Sequence, residues 1–458
     1  MDKIHAVQIN TPSYAKDGKL HVRLTKGYFQ NVRRLTSWPL IVLFFLVVWL
    51  EWEGTPLLLF SFEQRQILFF GTQLSWHDLP LLAGIMIAGA SLLFFAAVAW
   101  GRVWCGFACP QSIWTWIFIR IEDWIEGPAQ QRSRREKRAL TLNDSLRRIT
   151  KHLLWIGVAS LTSITFTGYF IPIRDLVSPD VFQSSTTLGW LIIMATLTYL
   201  NAGLVREKIC LHACPYSRFQ AVMFDQHTRT VTYDIERGEP RGKRRQVEAL
   251  QDPIGDCVDC GICVQVCPTG VDIREGLQAA CIDCAACIDA CDSVMQTLER
   301  PKGLIRFASE VQLQKQPSPL IRPRLVGYGA VMLVAMSAVL LGFSTKENLR
   351  VDIARDRGPL FMQLDERTFC NLYNVKVERF HPDLRNVSIR LTDPTLFELF
   401  GPTQLDLTDQ NAQWIAYRVC SDQISSPRAE VGFLVEGHGM SRQLNTSFFT
   451  RSLDFQNH

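Results

Sequence analysis

The 458 residues contain no G-x-G-x-x-G after a strand-like run and no G-x4-G-K-S/T, so no dinucleotide site of that type and no phosphate-binding P-loop is visible. No C-x2-C-H occurs, and with it a covalently attached haem is excluded. Histidine is sparse and badly placed for binding haem within a membrane: His77 lies outside the apolar runs, and His152 and His212 lie at their edges. The residues before the first apolar run lack the pattern of a cleavable signal peptide. The formal net charge of +4 is small, and no nucleic-acid partner is expected.

Apolar and aromatic residues are abundant: 47% of the chain is hydrophobic, with 12 Trp and 27 Phe. Five runs carry them, at 38–50, 79–100, 153–173, 188–205 and 325–344. Four approach the roughly 20 residues that span a bilayer. The first is shorter and reaches full length only if Thr36, Ser37, Glu51 and Trp52 sit at the interfaces. Charge placement then orients them. Arg33 and Arg34 precede the first run, and the loop after it is mainly acidic (Glu51, Glu53, Glu63 and Asp78 against Arg65). The next loop is dense in cations, including "RSRREKR" at 132–138, while Arg206, Lys208 and Arg218 follow the fourth run and Arg322 and Arg324 precede the fifth. By the positive-inside rule the expectation is a multi-pass protein of the bacterial inner membrane, N-terminus cytoplasmic and C-terminal domain periplasmic.

Between the fourth and fifth runs, "CVDCGICVQVCP" reads C-x2-C-x2-C-x3-C-P, and "CIDCAACIDAC" repeats that frame 24 residues later. In this spacing three thiolates wrap one iron-sulfur cubane and the fourth reaches to its neighbour. The expected ligands are Cys257, Cys260, Cys263 and Cys291 for one 4Fe-4S cluster, and Cys281, Cys284, Cys287 and Cys267 for the other. Zinc ribbons place longer spacers between their cysteine pairs, and a disulfide framework does not suit a reducing compartment. Asp292 follows Cys291 where proline would be expected, which questions the backbone turn there. With no haem or nucleotide site, electrons must enter from a partner or a soluble donor.

Two further pairs lie just past the cytoplasmic ends of runs two and four: "CGFACP" at 105–110 and "CLHACP" at 210–215, both C-x3-C-P. Proline pushes the residue before it toward extended geometry and suits the first position of a helix. Cys109 and Cys214 therefore precede helix N-termini, and "PQSIWTWIFIRIEDWIE" reads as an interfacial helix. The helix dipole, with Arg102, Arg206, Lys208 and Arg218, is expected to lower these thiol pKa values. Three readings stay open for Cys105, Cys109, Cys210 and Cys214: a soft-ligand copper site, a third cluster, or buried apolar thiols.

The two ferredoxin-type runs, "RGEPRGK" at 237–243, "GLIRFASE" at 303–310 and the paired C-x3-C-P units resemble, over nearly the whole chain, the CcoG/FixG/RdxA family of cytochrome c oxidase accessory proteins. Polyferredoxin membrane subunits of periplasmic nitrate and nitrous oxide reduction systems share both motifs, so it is the combination with the other segments that is specific. The resemblance implies a membrane-bound cupric reductase, supplying Cu(I) for assembly of a cbb-type oxidase. It makes Cys105, Cys109, Cys210 and Cys214 the catalytic, copper-handling candidates and the eight ferredoxin cysteines the electron path. Expected partners are membrane lipid, a cytoplasmic electron donor, a copper transporter or chaperone, and oxidase assembly factors. The competing readings are a quinol-linked subunit feeding a partner reductase and a non-enzymatic copper-binding scaffold.

The expected architecture is an α-helical membrane protein of about five spans with an inserted two-cluster ferredoxin domain and a C-terminal all-β domain. Its boundaries are a cytoplasmic segment 1–35, a four-span membrane domain 36–224, the ferredoxin domain 225–320, the fifth span 321–345 and a periplasmic domain 346–458. In the last, "CNLYNVKVERF", "NVSIRLTD", "AEVGFLVEG" and "SRQLNTSFFTR" alternate as strands, suggesting a β-sandwich that the resemblance makes immunoglobulin-like. Cys370 and Cys420 either pair there, worth roughly 4 kcal/mol in the chain-entropy model, or stay as two thiols. His381, His438 and Met440 have no spacing that compels copper binding and are read as surface residues. The basic loop at 130–151 is expected to be a solvated face near lipid headgroups.

Overall fold

The computed structural model describes residues 20–451 except 53, 63–65, 71, 76–77, 140, 243–254, 320, 345–348, 366, 380–383, 408–412 and 425. Two compact units form: residues 1–50 with 80–340, and residues 51–79 with 341–458.

The helices of the first unit run in chain order as α1 (Tyr28–Leu46), α2 (Leu79–Trp100), α3 (Val103–Phe107), α4 (Pro110–Glu126), α5 (Ala129–Glu136) and α6 (Leu142–Gly168). They continue with α7 (Ser185–Tyr199, prolonged as a π-helix over Leu200–Val205), α8 (Pro215–Met223), α9 (Ala286–Thr297) and α10 (Pro323–Ser344). Among the described residues α1, α2, α6, α7 and α10, with their short extensions, are long and apolar enough to cross a membrane. At most 33% of the apolar window of any of them is buried, which leaves the rest for lipid to cover.

The first span differs from its expected bounds. Its helix starts at Tyr28, well before the apolar run, and ends in a 3-10 turn at Trp49, while Glu51 and Trp52 form a short strand. The added length at the N-terminus has a partner. The Phe29 and Gln30 backbone N–H groups donate to the Asp289 carboxylate of α9 at 3.1 and 2.8 Å, satisfying two of the donors that a helix start leaves unpaired. A Cβ on Gly27 would sit 2.3 Å from Asp289 Cγ, so only glycine permits the approach.

The basic loop is not simply a solvated face. Arg132 of α5, Arg206 beyond the π-helix and Lys151 of α6 converge on Glu122 of α4 at 2.8, 3.0 and 3.9 Å, and Lys151 also reaches Glu126 at 2.8 Å. The Glu122 side chain is 2% exposed. Burial alone would raise its pKa, but Arg206, Arg132 and Lys151 outweigh it and hold the carboxyl below its ordinary value. Arg138 and Arg135 in turn engage Asp144 in the capping box that starts α6.

The second unit holds β1 (Leu58–Ser61), β2 (Gln66–Phe69) and β3 (Thr72–Ser75) as a sheet of consecutive antiparallel strands. Back in the first unit, β4 (Thr230–Tyr233) pairs with β5 (Ile305–Ala308), closing the cysteine-bearing segment between them. The C-terminal strands are β6 (Leu349–Arg355), β7 (Phe369–Arg379), β8 (Asn386–Leu391), β9 (Glu398–Phe400), β10 (Gln404–Asp406), β11 (Trp414–Ser421), β12 (Arg428–Gly437) and β13 (Met440–Phe449). They form two sheets, ordered β9-β11-β7-β6 and β10-β8-β12-β13. One core joins both sheets, where the Tyr373 ring meets Phe433 edge-on at 5.5 Å. Cys370 and Cys420 form a disulfide between directly opposed residues of β7 and β11.

Candidate iron-sulfur sites and the paired thiol motifs

The two C-x2-C-x2-C runs fold alike. Asp259 and Gly261 take left-handed backbone conformations in the first, and Asp283 and Ala285 do so at the equivalent positions of the second. For Ala285 that conformation costs about 1–2 kcal/mol, so its buried surroundings hold the loop in shape. Each run closes over a cavity. The first is lined by Cys257, Cys260, Cys263 and Cys291, the second by Cys281, Cys284, Cys287 and Cys267, with Cys263 between the two. The fourth cysteine of each set thus comes from the other run, as the spacing predicts. Among the described residues no His, Asp or Glu lines either cavity, and a donor set of thiols alone fits an iron-sulfur cluster.

Burial pushes Cys263 and Cys291 up to about 12 and Cys284 to about 11, and raises Cys281 and Cys287 well above the ordinary thiol value. Such thiols keep their protons until a metal displaces them. The Val271 N–H donates to Cys267 Sγ at 3.3 Å, the kind of contact that tunes a cluster. The missing proline after Cys291 also has a reason. Cys291 lies inside α9, which continues to Thr297, and the Asp292 carboxylate accepts from the Gly303 N–H at 2.9 Å.

The four C-x3-C-P thiols share one electrostatic neighbourhood, though among the described residues no three His, Cys, Asp or Glu side chains are placed to hold a metal ion. Cys109 and Cys214 are extended residues just before Pro110 and Pro215, which open α4 and α8 as expected. Cys105 lies on α3, and Cys210 lies on a π-helical turn, Ile209–Ala213. Cys105 is within electrostatic reach of Cys109, Cys210 and Cys214, and Cys210 of Cys109 and Cys214. Ser217 Oγ contacts the carbonyls of Cys210 and Cys214 at 2.6 and 2.9 Å. At Cys105, Cys109 and Cys210 the expected lowering of thiol pKa does not occur. Burial pushes Cys105 up to about 12 and Cys210 to about 11, and raises Cys109. Arg102 acts against this at Cys105 and Cys210, and the Ser112 and Gln111 N–H groups at Cys109, but desolvation is larger. Arg206 is committed instead to Glu122.

Arg102 connects this quartet to the second cysteine run. Its backbone N–H donates to Asp283 at 2.8 Å, and its guanidinium to the carbonyls of Cys281 at 3.3 Å and Ser217 at 2.7 Å. A Cβ on Gly106 would lie 2.7 Å from the Ile282 carbonyl and 2.9 Å from Cys284 Cα, so the two backbones are in direct contact. Cys105 packs on the apolar group formed by Ile282, Cys284 and Ala286. Arg33 is buried nearby, donating to the Ser112 carbonyl at 3.4 Å and offsetting part of the rise that burial imposes on the Cys284 thiol. At the first run, Cys260 is exposed. The "RGEPRG" segment at 237–242 is tied to that run, since Gly242 N–H donates to Cys257 O at 3.2 Å and Arg237 pairs with Asp256 at 2.5 Å.

Sequence reasoning missed Asp283 and Asp289, and weighed Arg33 and Arg102 only as charges. One signal was available: Asp recurs at the third position of both runs, where Asp259 pairs with Arg274 at 2.5 Å while buried Asp283 holds Arg102 and, at 3.0 Å, the Val231 N–H. His438 lies in the turn between β12 and β13, Met440 opens β13, and His381 lies outside the described residues.

A family model described as "4Fe-4S dicluster domain" matches residues 205–310. Protein RdxB of Cereibacter sphaeroides is 34% identical over 397 residues, which cover 83% of each chain. Nitrogen fixation protein FixG of Rhizobium meliloti is 30% identical over 433 residues, covering 85% of this chain and 82% of the relative. A crystal structure of a FixG-related protein from Vibrio parahaemolyticus overlaps 23% of this chain and 99% of its own, at 12% identity and a TM-score of 0.21, a likeness too slight to bear on the fold.

Proposed function

The chain belongs to the FixG/RdxA/CcoG family and is an iron-sulfur electron-transfer protein of the membrane, and from that premise we propose that it reduces Cu(II) to Cu(I) for assembly of a cbb-type oxidase. Cys257, Cys260, Cys263 and Cys291 would hold one 4Fe-4S cluster and Cys267, Cys281, Cys284 and Cys287 the other, which when bound supply one-electron transfer. The observation that carries the proposal is the shared contact between the second run and the C-x3-C-P quartet, made by Arg102, Gly106 and Cys105. Four soft sulfurs favour the cuprous over the cupric ion, which drives the substrate toward reduction. As copper binds, Cys105, Cys109 and Cys210 give up the protons that burial had held on them. Cys105 Sγ already shares its proton with Gln220 Oε1 at 3.5 Å. Exposure of Cys260 supports entry of electrons from a soluble cytoplasmic donor at the first run.

The cysteine chemistry also supports the topology. All twelve free cysteines lie in residues 105–291, and the disulfide lies in the C-terminal unit. That division suits a reducing cytoplasm on one side and an oxidising periplasm on the other. The acidic loop 51–79 falls in the same unit as the C-terminal domain, in keeping with both being outside. For that domain we propose an immunoglobulin-like sandwich whose disulfide joins neighbouring strands of one sheet instead of the two sheets.

The test is to reduce the anaerobically purified protein with dithionite, remove excess reductant, and add Cu(II) with a Cu(I)-specific chelator. Reoxidation of the cluster absorbance with matching Cu(I) formation is expected, and its loss on Cys210→Ala and Cys214→Ala at unchanged iron content. Reduced clusters that persist in the presence of Cu(II) would leave a scaffold role instead.

A further inference from the structure

Between α1, α4, α6 and α7 lies a cavity of about 650 Å³, within the range of sites for small organic ligands. Three of these helices are membrane spans. Its walls include Phe44, Trp104, Trp114 and Phe166. Such rings favour stacking with another flat ring over contact with a flexible chain.

The polar groups in the cavity are few, and most are already engaged. Thr162 Oγ1 donates to the Val158 carbonyl at 2.8 Å and accepts from Trp114 Nε1 at 2.9 Å. Ser163 donates to the Leu191 carbonyl at 2.8 Å and Thr198 to the Met194 carbonyl at 2.9 Å. Asn201 is different. Its backbone carbonyl accepts from Gln111 Nε2 at 3.0 Å, but its side-chain amide makes no hydrogen bond with any described residue. An amide left unpaired in a hydrocarbon setting is costly. Asn201 also lies in the π-helical stretch Leu200–Val205, a deformation that recurs at functional sites. The opposite wall includes Ala108 and Pro110, which flank Cys109.

We propose that this cavity binds the head group of a membrane-soluble quinone, with the ring among the four aromatic side chains and a ring oxygen on the Asn201 amide. The site goes beyond the copper reading: it places a lipid-soluble ligand one residue from Cys109. An acyl chain would fill the apolar volume, but it would leave the amide unpaired and forgo stacking on the rings.

The test uses the full chain in lipid nanodiscs, iron-loaded, without copper, and a photoactivatable azido derivative of a short-chain ubiquinone. Saturable labelling within residues 104–114 and 194–202, competed by decylubiquinone, is the expected result. Asn201→Leu should weaken binding about tenfold, the scale of one hydrogen bond. Thr198→Phe, which fills the cavity and gives up only a bond within its own helix, should abolish labelling. Iron content and cluster absorbance in both variants establish that they are folded. The proposal is overturned by unsaturable labelling, by full labelling in Thr198→Phe, or by displacement with phosphatidylglycerol as effective as with decylubiquinone, which would make the cavity an acyl-chain cleft. Because copper is absent, these results do not depend on cupric reduction.

Discussion

Replacing Glu122 with glutamine removes one charge from the most enclosed ionic group described here. The carboxylate faces Arg132 at 2.8 Å, Arg206 at 3.0 Å and Lys151 at 3.9 Å, leaving Glu126 as the other carboxylate in the group. At an effective dielectric constant near 20 each contact is worth about 4–6 kcal/mol before desolvation is subtracted. Breaking such a buried group from one side typically costs about 3–5 kcal/mol, since the remaining charges are left unmatched. At roughly 2–4 °C per kcal/mol the melting temperature in detergent should fall by about 6–20 °C. The damage should also reach the thiols, because Arg206 begins the segment that carries Cys210 and Cys214. Maleimide labelling of Cys210 should therefore accelerate in Glu122→Gln at temperatures below melting. The pH dependence has a definite sign. The folded pKa of Glu122 lies below its unfolded value, so its contribution is complete above the ordinary carboxylate pKa and fades as pH falls through the lower folded value. The variant should lose that part of the acid limb. An unchanged melting temperature together with unchanged labelling would refute the reasoning.

Cys291→Ala should remove the signal of the cluster assigned to Cys257, Cys260 and Cys263 while sparing the other, and Cys267→Ala the reverse, as read by iron content and electron paramagnetic resonance; the opposite pairing would reject the crossed ligand sets. Arg33→Leu removes a buried cation beside Cys284 and should lower the potential of that cluster by on the order of 50–100 mV, the effect of a unit charge several ångströms away at a dielectric constant near 20; a redox titration checks it. Replacing Cys370 and Cys420 with alanine removes a link across 50 residues and should destabilise the C-terminal strands by about 2–5 kcal/mol, measured as earlier protease cleavage after residue 341.

Features set by spacing were legible in the sequence. Eight cysteines in a repeated frame predict which four line each cavity, and two prolines predict the extended Cys109 and Cys214 and the helices behind them. Apolar runs locate the spans for the same reason, since length and hydropathy are local properties. What depends on burial was not legible. Arg33 reads as a topogenic surface charge but is buried behind α4, and Arg132 and Lys151 read as part of a solvated face near lipid headgroups but are enclosed around Glu122. The thiol pKa values follow the same pattern. Helix starts and nearby arginines can be seen in the sequence, whereas the desolvation that overrides them arises only when distant segments close over the sulfurs. Asp283 and Asp289 were missed because each bonds backbone groups far away in the chain, and backbone leaves no trace in residue type.

The carboxylate of Asp289 finishes the start of a helix made some 260 residues before it. At ribosomal speeds of roughly 5–20 residues per second, that helix waits about 13–52 s after synthesis for its cap. That helix is therefore made with its N-terminal end incomplete, and it is finished only when the cysteine-bearing segment emerges and folds beside it. A chain that stops or misfolds before Asp289 leaves the Phe29 and Gln30 N–H groups without this partner.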